Sequence, residues 1–236
     1  MEDLGHVQLR EPAHGGPGVR IVQLTDLHQW PAGDKTWTAR GRVIDFEAEG
    51  YSSERNVDLA AHVLDTAKPD LVILTGDILD GRPCESMPAE SFRQVMQQVV
   101  APIVSRDIPW AFVPGNHDDD HSPWARQDLV QILTMPGCIQ SAATGFDHTL
   151  TVGFSEAPSE DASVRLWLFD SGGNSDDEQV RYTTFSPAAV EGYRALSRSA
   201  DLAPSAVGLA YFHIPLPEYE GVAPLVGKNG LFDAAV

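Results

Sequence analysis

Residues Asp70-Leu-Val-Ile-Leu74 form a short apolar run, and Thr75-Gly-Asp77-Ile-Leu-Asp80 follows it with a glycine and two carboxylates. So short a run, rich in β-branched residues, reads as a buried strand rather than a helix. The same grammar recurs along the chain. Val19-Arg-Ile-Val-Gln-Leu24 breaks into Thr25-Asp26-Leu27-His28, and Pro109-Trp-Ala-Phe-Val113 into Pro114-Gly115-Asn116-His117-Asp118. Val164-Arg-Leu-Trp-Leu-Phe169 and Ala206-Val-Gly-Leu-Ala-Tyr-Phe212 complete the set, the last leading into His213-Ile-Pro215. Asp147 to Phe154 reads as an added antiparallel strand.

Helical patterns lie between these runs. Phe92, Val95, Met96, Val99, Val100, Ile103 and Val104 recur at helical spacing, with Pro102 expected to bend or shorten the helix. Asn56 to Lys68 puts Val57, Ala60, Ala61, Leu64 and Ala67 on one face, and Pro69 follows. Ser122-Pro123 and Ser186-Pro187 each read as an N-cap followed by proline at the first helical position. Leu129, Ile132 and Leu133 then face inward, as do Val190, Tyr193 and Leu196. Strand alternating with helix is the pattern of an α/β fold with buried, largely parallel strands.

The chain of 236 residues is long enough for one large domain that needs no disulfide or metal to fold. Its net charge of −18 argues against long nucleic acid and against an anionic membrane surface as partners. Charged residues are 21% and hydrophobic residues 42% of the chain, which excludes a disordered acidic tail. Cys84 and Cys138 are too few for a disulfide framework and read as free. No apolar run approaches a membrane span, and Met1 to Gly18 lacks the apolar core of a secretory signal. The expectation is a soluble, cytoplasmic protein with a polar N-terminal segment over 1–18 and one domain over 19–236. Gln29 to Ser53 is a long polar connection containing Trp30 and Trp37, of a length that is often functional beside a site.

In parallel sheets the carboxyl ends of the strands share one edge, and ligands bind there. Asp26, His28, Asp77, Asn116 and His213 would therefore converge. Asp26 and His28 alternate about Leu27, so both can point to one side of an extended segment. Carboxylate, imidazole and amide oxygen together suit divalent metals such as Mn, Fe, Zn or Ni. Two Asp, two His and one Asn exceed what one open zinc site uses. A bridging carboxylate would let them hold two ions about 3.5–4 Å apart, a pair that polarises a phosphoryl oxygen.

Taken singly, most of these pieces are bland: Asp-x-His arises by chance, Gly-Asp after a strand is a turn, and a lone histidine is usually structural. Gly115-Asn-His-Asp118 is rarer, expected by chance in on the order of one chain in several hundred of this length. Its position at a strand exit, in order with the others, sharpens the signal.

Asp26-x-His28, Gly76-Asp77, Gly115-Asn-His-Asp118 and the later His213 resemble the calcineurin-like metallophosphoesterase superfamily. Ile108 to Asp118, Phe169-Asp-Ser-Gly172 and Tyr211-Phe-His-Ile-Pro-Leu-Pro-Glu218 look closest to its single-domain "purple acid phosphatase"-like group of plants, fungi and bacteria. The resemblance implies a four-layer α-β-β-α sandwich, two mixed sheets flanked by helices. It implies a hydrolase of phosphomono- or diesters with two divalent ions (Mn, Fe, Zn or Mg). Asp26 and His28 would hold the first, Asp77 would bridge, and Asn116 and His213 would hold the second. A metal-bridging hydroxide would attack phosphorus in line. His117 would stabilise or protonate the leaving oxygen, and Asp118 would orient His117. The implied partner is a small phosphoester or a phosphoprotein.

Two departures qualify the resemblance. Asp80 stands where the coloured phosphatases carry a metal-bound tyrosine, so no tyrosinate-iron colour is expected, and Asp80 reads as a loop or supporting carboxylate. The family's Gly-His-x-His motif has no counterpart through Val236, so the resemblance implies a fold whose C-terminal part is missing. The alternative reading is accordingly a truncated, catalytically impaired remnant that binds metal weakly. His121 is the candidate stand-in for a lost ligand. Ser171-Gly-Gly-Asn174 reads as a simple turn, and Asp119 and Asp120 as a solvated loop.

Overall fold

In the computed structural model the described residues are 1–12, 14–16, 18–29, 36–39, 42–45, 53–80, 89–120, 124–157, 163–177, 179–199 and 207–219. In chain order the elements begin with β1 (Glu2–Gln8), β2 (Ile21–Leu24), β3 (Thr36–Ala39), β4 (Arg42–Asp45), α1 (Ser53–Ala67), β5 (Leu71–Thr75) and α2 (Ala89–Val104). They continue with β6 (Trp110–Val113), a 3-10 helix (Arg126–Thr134), β7 (His148–Gly153), β8 (Ser163–Leu168), α3 (Pro187–Leu196) and β9 (Val207–Tyr211). His121, Cys84, Trp30, the Ser122-Pro123 cap and the segment 220–236 lie outside the described residues.

Two sheets carry the architecture. The first has the order β2-β5-β6, and both of its pairings are parallel. The second has the order β1-β7-β8-β9 and is mixed, with β7 and β8 antiparallel and the outer pairs parallel. Strands β3 and β4 form a separate antiparallel pair.

Every residue of β5 and β6 is buried, because these strands are covered on both faces. On one face Leu71, Ile73, Ala111 and Val113 pack with Leu150, Val152, Leu166 and Leu168 of β7 and β8. On the other, Val72, Leu74, Trp110 and Phe112 pack with Leu64 of α1, with Phe92, Met96 and Ile103 of α2, and with Leu129 and Ile132. Period-two alternation along β5 thus divides one strand between a sheet-to-sheet core and a sheet-to-helix core. Helix α3 covers the outside of the second sheet, where Tyr193 meets Trp167 edge-on at 4.8 Å between ring centroids. The described elements therefore stack as helices, sheet, sheet, helix.

Local sequence explains the start of α3. Ser186 caps α3 by accepting the Ala189 N–H at 3.0 Å, with Pro187 at the first helical position. Helix α2 runs two residues past Pro102, and the Pro102 carbonyl is met by the Ser105 hydroxyl at 3.1 Å and by Arg106 Nη1 at 2.8 Å. Leu129 and Ile132 are buried as expected, but in a 3-10 rather than an α-helix, where residues three apart eclipse on one face. Tyr193 and Val190 are less enclosed than expected, since they border an apolar groove.

Strand β1 was not expected. The segment 1–18, read as merely polar, supplies an edge strand that pairs parallel with β7, from Glu2 opposite His148 to Gln8 opposite Gly153. His14 anchors the chain after it: its Nε2 lies 2.9 Å from Asp70 Oδ2, and both side chains are almost fully buried. No described helix is long and apolar enough to cross a membrane.

Candidate metal centre

Three loops meet at the carboxyl edge of the first sheet, and two glycines set how closely. Gly76 adopts φ +84, and a Cβ on it would collide with the backbone of Gly115. A Cβ on Gly115 would in turn strike the carboxylate and backbone N of Asp77. The turn after β5 and the turn after β6 are thus in van der Waals contact through bare backbone.

A fully buried carboxylate joins them. Asp118 Oδ2 accepts the N–H groups of Gly115 at 2.7 Å and Asp77 at 2.9 Å, while Oδ1 accepts those of Ile78 at 2.9 Å and Leu79 at 2.8 Å. Four donors fill both oxygens, the arrangement of an ionised group, although burial pushes its pKa up to about 6. Asp118 therefore does not orient His117, as the sequence suggested. That position belongs to Asp120, whose Oδ2 lies 3.0 Å from His117 Nδ1. Because a carboxylate accepts, the proton sits on Nδ1 and Nε2 is left for chemistry.

Asp77 is the pivot. It is 3% exposed and adopts φ 49. Its Oδ1 accepts the His117 N–H at 2.8 Å, and its Oδ2 lies 3.7 Å from His28 Nε2 and 3.3 Å from His213 Nε2. Two imidazoles from opposite ends of the sequence thus face one carboxylate oxygen. Asp26 Oδ1 also lies 3.7 Å from His28 Nε2, and donor atoms of Asp26, His28 and Asp77 all fall within 4.8 Å of one another.

The backbone reaches this arrangement differently from the extended segment expected. Asp26 has φ 55 and His28 φ 47, both left-handed. Their N–H groups bond to the carbonyls of Gly76 at 3.0 Å and Asp77 at 2.9 Å, which hold the strained conformation. Left-handed non-glycine residues are uncommon, and three of the five among the described residues fall at this site.

The histidines are oriented from behind. His213 Nδ1 donates to the Thr75 carbonyl at 2.8 Å, which turns its Nε2 toward Asp77. Ser171 Oγ accepts the N–H of Ile214 at 2.9 Å and of His213 at 3.3 Å. His28 Nδ1 lies 3.5 Å from Oδ2 of the buried Asp80. The His28 and His117 rings lie 5.5 Å apart, which brings His117 over the same ground.

These residues fit divalent cations. Two ligands about 2.1 Å from one ion lie at most about 4.2 Å apart, and the separations from His28 and His213 to the carboxylates fall inside that limit. The electrostatics agree. Burial would lower the pKa of His213, yet the carboxylate of Asp77 raises it to about 9. Without a cation the imidazolium of His213 is the positive charge beside Asp77, and a bound cation would take that place.

Arg126 closes the site on its far side. Its Nη1 donates to the Gly115 carbonyl at 2.9 Å and to Asp119 at 3.1 Å, and its Nη2 to the Gly172 carbonyl at 2.7 Å and to Asp170 at 2.5 Å. Asp119 and Asp120 are thus paired groups, not the solvated loop expected. A cleft of about 550 Å³ opens here, with Asn116, Asp120, Arg126 and Asn174 in its wall. Asn116 itself is buried. The turn at Ser171 to Asn174 touches both His213 and Asn116, so it is part of the site. Sequence reasoning also missed Arg126 and Asp120, which carry no motif beyond lying just after Asp118.

Carboxylates, imidazoles and an amide thus stand at the strand exits of an α/β sandwich, a set of groups suited to divalent cations. The chain matches the family described as Calcineurin-like phosphoesterase over residues 19–234 and belongs to it. It is 29% identical over 231 residues to Phosphatase DCR2 of Saccharomyces cerevisiae, spanning 92% of this chain and 38% of that protein. It is 25% identical over 221 residues to Probable inactive purple acid phosphatase 29 of Arabidopsis thaliana, spanning 85% of this chain and 55% of that one. The chain thus spans about half the length, or less, of these relatives. A dimetal phosphatase from Danio rerio aligns in structure with a TM-score of 0.41 and 18% identity, over 78% of this chain and 52% of that one.

Proposed function

We propose that the chain is a hydrolase of phosphomono- or diesters that works with two divalent cations. The observation that carries this reading is Asp77, whose one carboxylate oxygen faces His28 Nε2 at 3.7 Å and His213 Nε2 at 3.3 Å. A carboxylate between two imidazoles suits a bridge. Asp26 and His28 would hold one cation, and Asn116 and His213 the other. Such cations polarise a phosphoryl oxygen and make water acidic enough to attack near neutral pH.

The chain's own groups do the rest. His117, with Asp120 behind it, offers Nε2 beside the His28 ring, where it would steady or protonate the leaving oxygen. Asp118 holds the turns that carry Asp77 and Asn116 at a fixed spacing. The cleft beside Asn116 is lined with carboxylates and one already-paired arginine, so bound cations would have to supply the attraction for a small phosphoester, and a long polyanion is disfavoured.

The Arabidopsis relative, named a probable inactive phosphatase, supports a second reading, a chain that binds cations without turnover. One experiment separates the two. The purified chain is assayed on aryl phosphate mono- and diesters with Mn, Fe, Zn or Mg, beside Asp77→Ala. Metal-dependent hydrolysis, abolished by the substitution, supports the enzyme. Cation uptake without hydrolysis supports the second reading. Hydrolysis indifferent to chelator and to Asp77→Ala refutes both.

A further inference from the structure

The amide of Asn116 is nearly symmetric in shape but not in chemistry. Its oxygen can bind a cation, whereas its NH₂ end can only donate. Nothing in the amide itself decides which end would be offered to a cation, and the choice matters for a buried side chain.

The decision comes from Asn174, on the loop that follows β8. Asn174 Nδ2 donates to the backbone carbonyl of Asn116 at 3.2 Å, and Asn174 Oδ1 accepts from Asn116 Nδ2 at 3.3 Å. The first bond dictates the second. A backbone carbonyl only accepts, so it takes the NH₂ end of Asn174. That leaves the Asn174 oxygen toward Asn116, and an oxygen there takes only the NH₂ end of Asn116. Asn116 Oδ1 is then the end left for a cation.

Asn174 is itself held. It bridges to Tyr182 across a short hairpin, where Thr183 N–H donates to the Gly173 carbonyl at 2.9 Å and Gly173 N–H donates to Thr183 Oγ1 at 2.8 Å. Arg126 grips the carbonyls of Gly115 and Gly172 with one guanidinium, so the two loops that carry the asparagines are pinned to a common group.

We infer that Asn174 is a positioning residue that selects the oxygen end of Asn116 for the second cation, an inference that rests on the metal reading above. The test is a Mn²⁺ titration of the whole chain by calorimetry, with thermal melting of the metal-free protein alongside. The unaltered chain takes two Mn²⁺. Asn174→Ala weakens one of the two sites about 10- to 100-fold, the usual range for lost ligand support, and leaves the other within about twofold. Asn174→Leu, which also lacks both amide ends, is read the same way if the alanine variant has no melting transition.

The decisive arm uses Asn116→Asp, whose two carboxylate oxygens need no orienting. In that background Asn174→Ala causes no weakening. Equal weakening in both backgrounds, or none in either, overturns the inference while leaving the metal reading intact. An unaltered chain that takes up no Mn²⁺ overturns both.

Discussion

The carboxylate of Asp118 accepts the backbone N–H of Asp77 at 2.9 Å, and through that bond one strand exit fixes the position of another. The same carboxylate takes three more N–H groups, so its role is architectural. Asp118→Asn would turn an NH₂ group toward donors that need an acceptor. We expect a loss of about 3 kcal/mol of stability, read as a lower urea midpoint, with metal affinity falling too. An unchanged midpoint would mean that the loops hold themselves.

Gly115 tests the close approach of the two turns. Alanine there places a methyl against the Asp77 carboxylate and backbone. Overpacking of this kind costs roughly 1–3 kcal/mol. Gly115→Ala should also bind Mn²⁺ much more weakly than Gly145→Ala, since nothing lies within 4 Å of a Cβ at that control site. Equal affinity in the two variants would contradict the packing argument.

His117 is predicted to matter for turnover and not for cation uptake. His117→Ala should keep its metal content while aryl phosphate hydrolysis falls about 10²- to 10⁴-fold. Asp120→Asn should fall less, roughly tenfold, because it acts only through the His117 ring. Metal loss in His117→Ala would instead make it a ligand.

His148 gives a stability signal away from the metal centre. It is fully buried, with Gln140 Nε2 at 3.3 Å from Nδ1 and Thr144 Oγ1 at 3.2 Å from Nε2. Burial holds its pKa below the ordinary 6.5, although the nearby Glu2 charge pulls the other way. The unfolded chain therefore binds this proton first as pH falls. The contribution is complete above about pH 6.5 and is lost below it, at no more than about 1.4 kcal/mol per pH unit. The urea midpoint should drop further between pH 7.5 and 5 in the natural chain than in His148→Gln. Identical drops would show that the histidine titrates as it does in the unfolded chain.

The strand exits could be read from sequence because local patterns encode them. An apolar run followed by Thr-Gly-Asp or Pro-Gly-Asn-His needs no distant partner to be recognised. Strand β1 could not be read so, because Glu2-Asp-Leu-Gly-His-Val-Gln8 is a half-exposed edge with a glycine inside it. Its identity as a strand comes from β7, far along the chain. The contact expected of Asp118 belongs to Asp120 for a similar reason. Both neighbour His117 in sequence, and only the course of the turn shows that Asp118 points inward to backbone donors while Asp120 meets the ring. Asn174 and Arg126 act on loops that fold brings near, and no spacing rule reports such contacts.

The central claim is that Asp77 joins two cation sites, and metal content measures it directly. Protein purified without chelator and loaded with Mn²⁺ should carry about two equivalents per chain, and Asp77→Ala close to none. Two retained equivalents in Asp77→Ala, or none in the natural chain, would contradict the account.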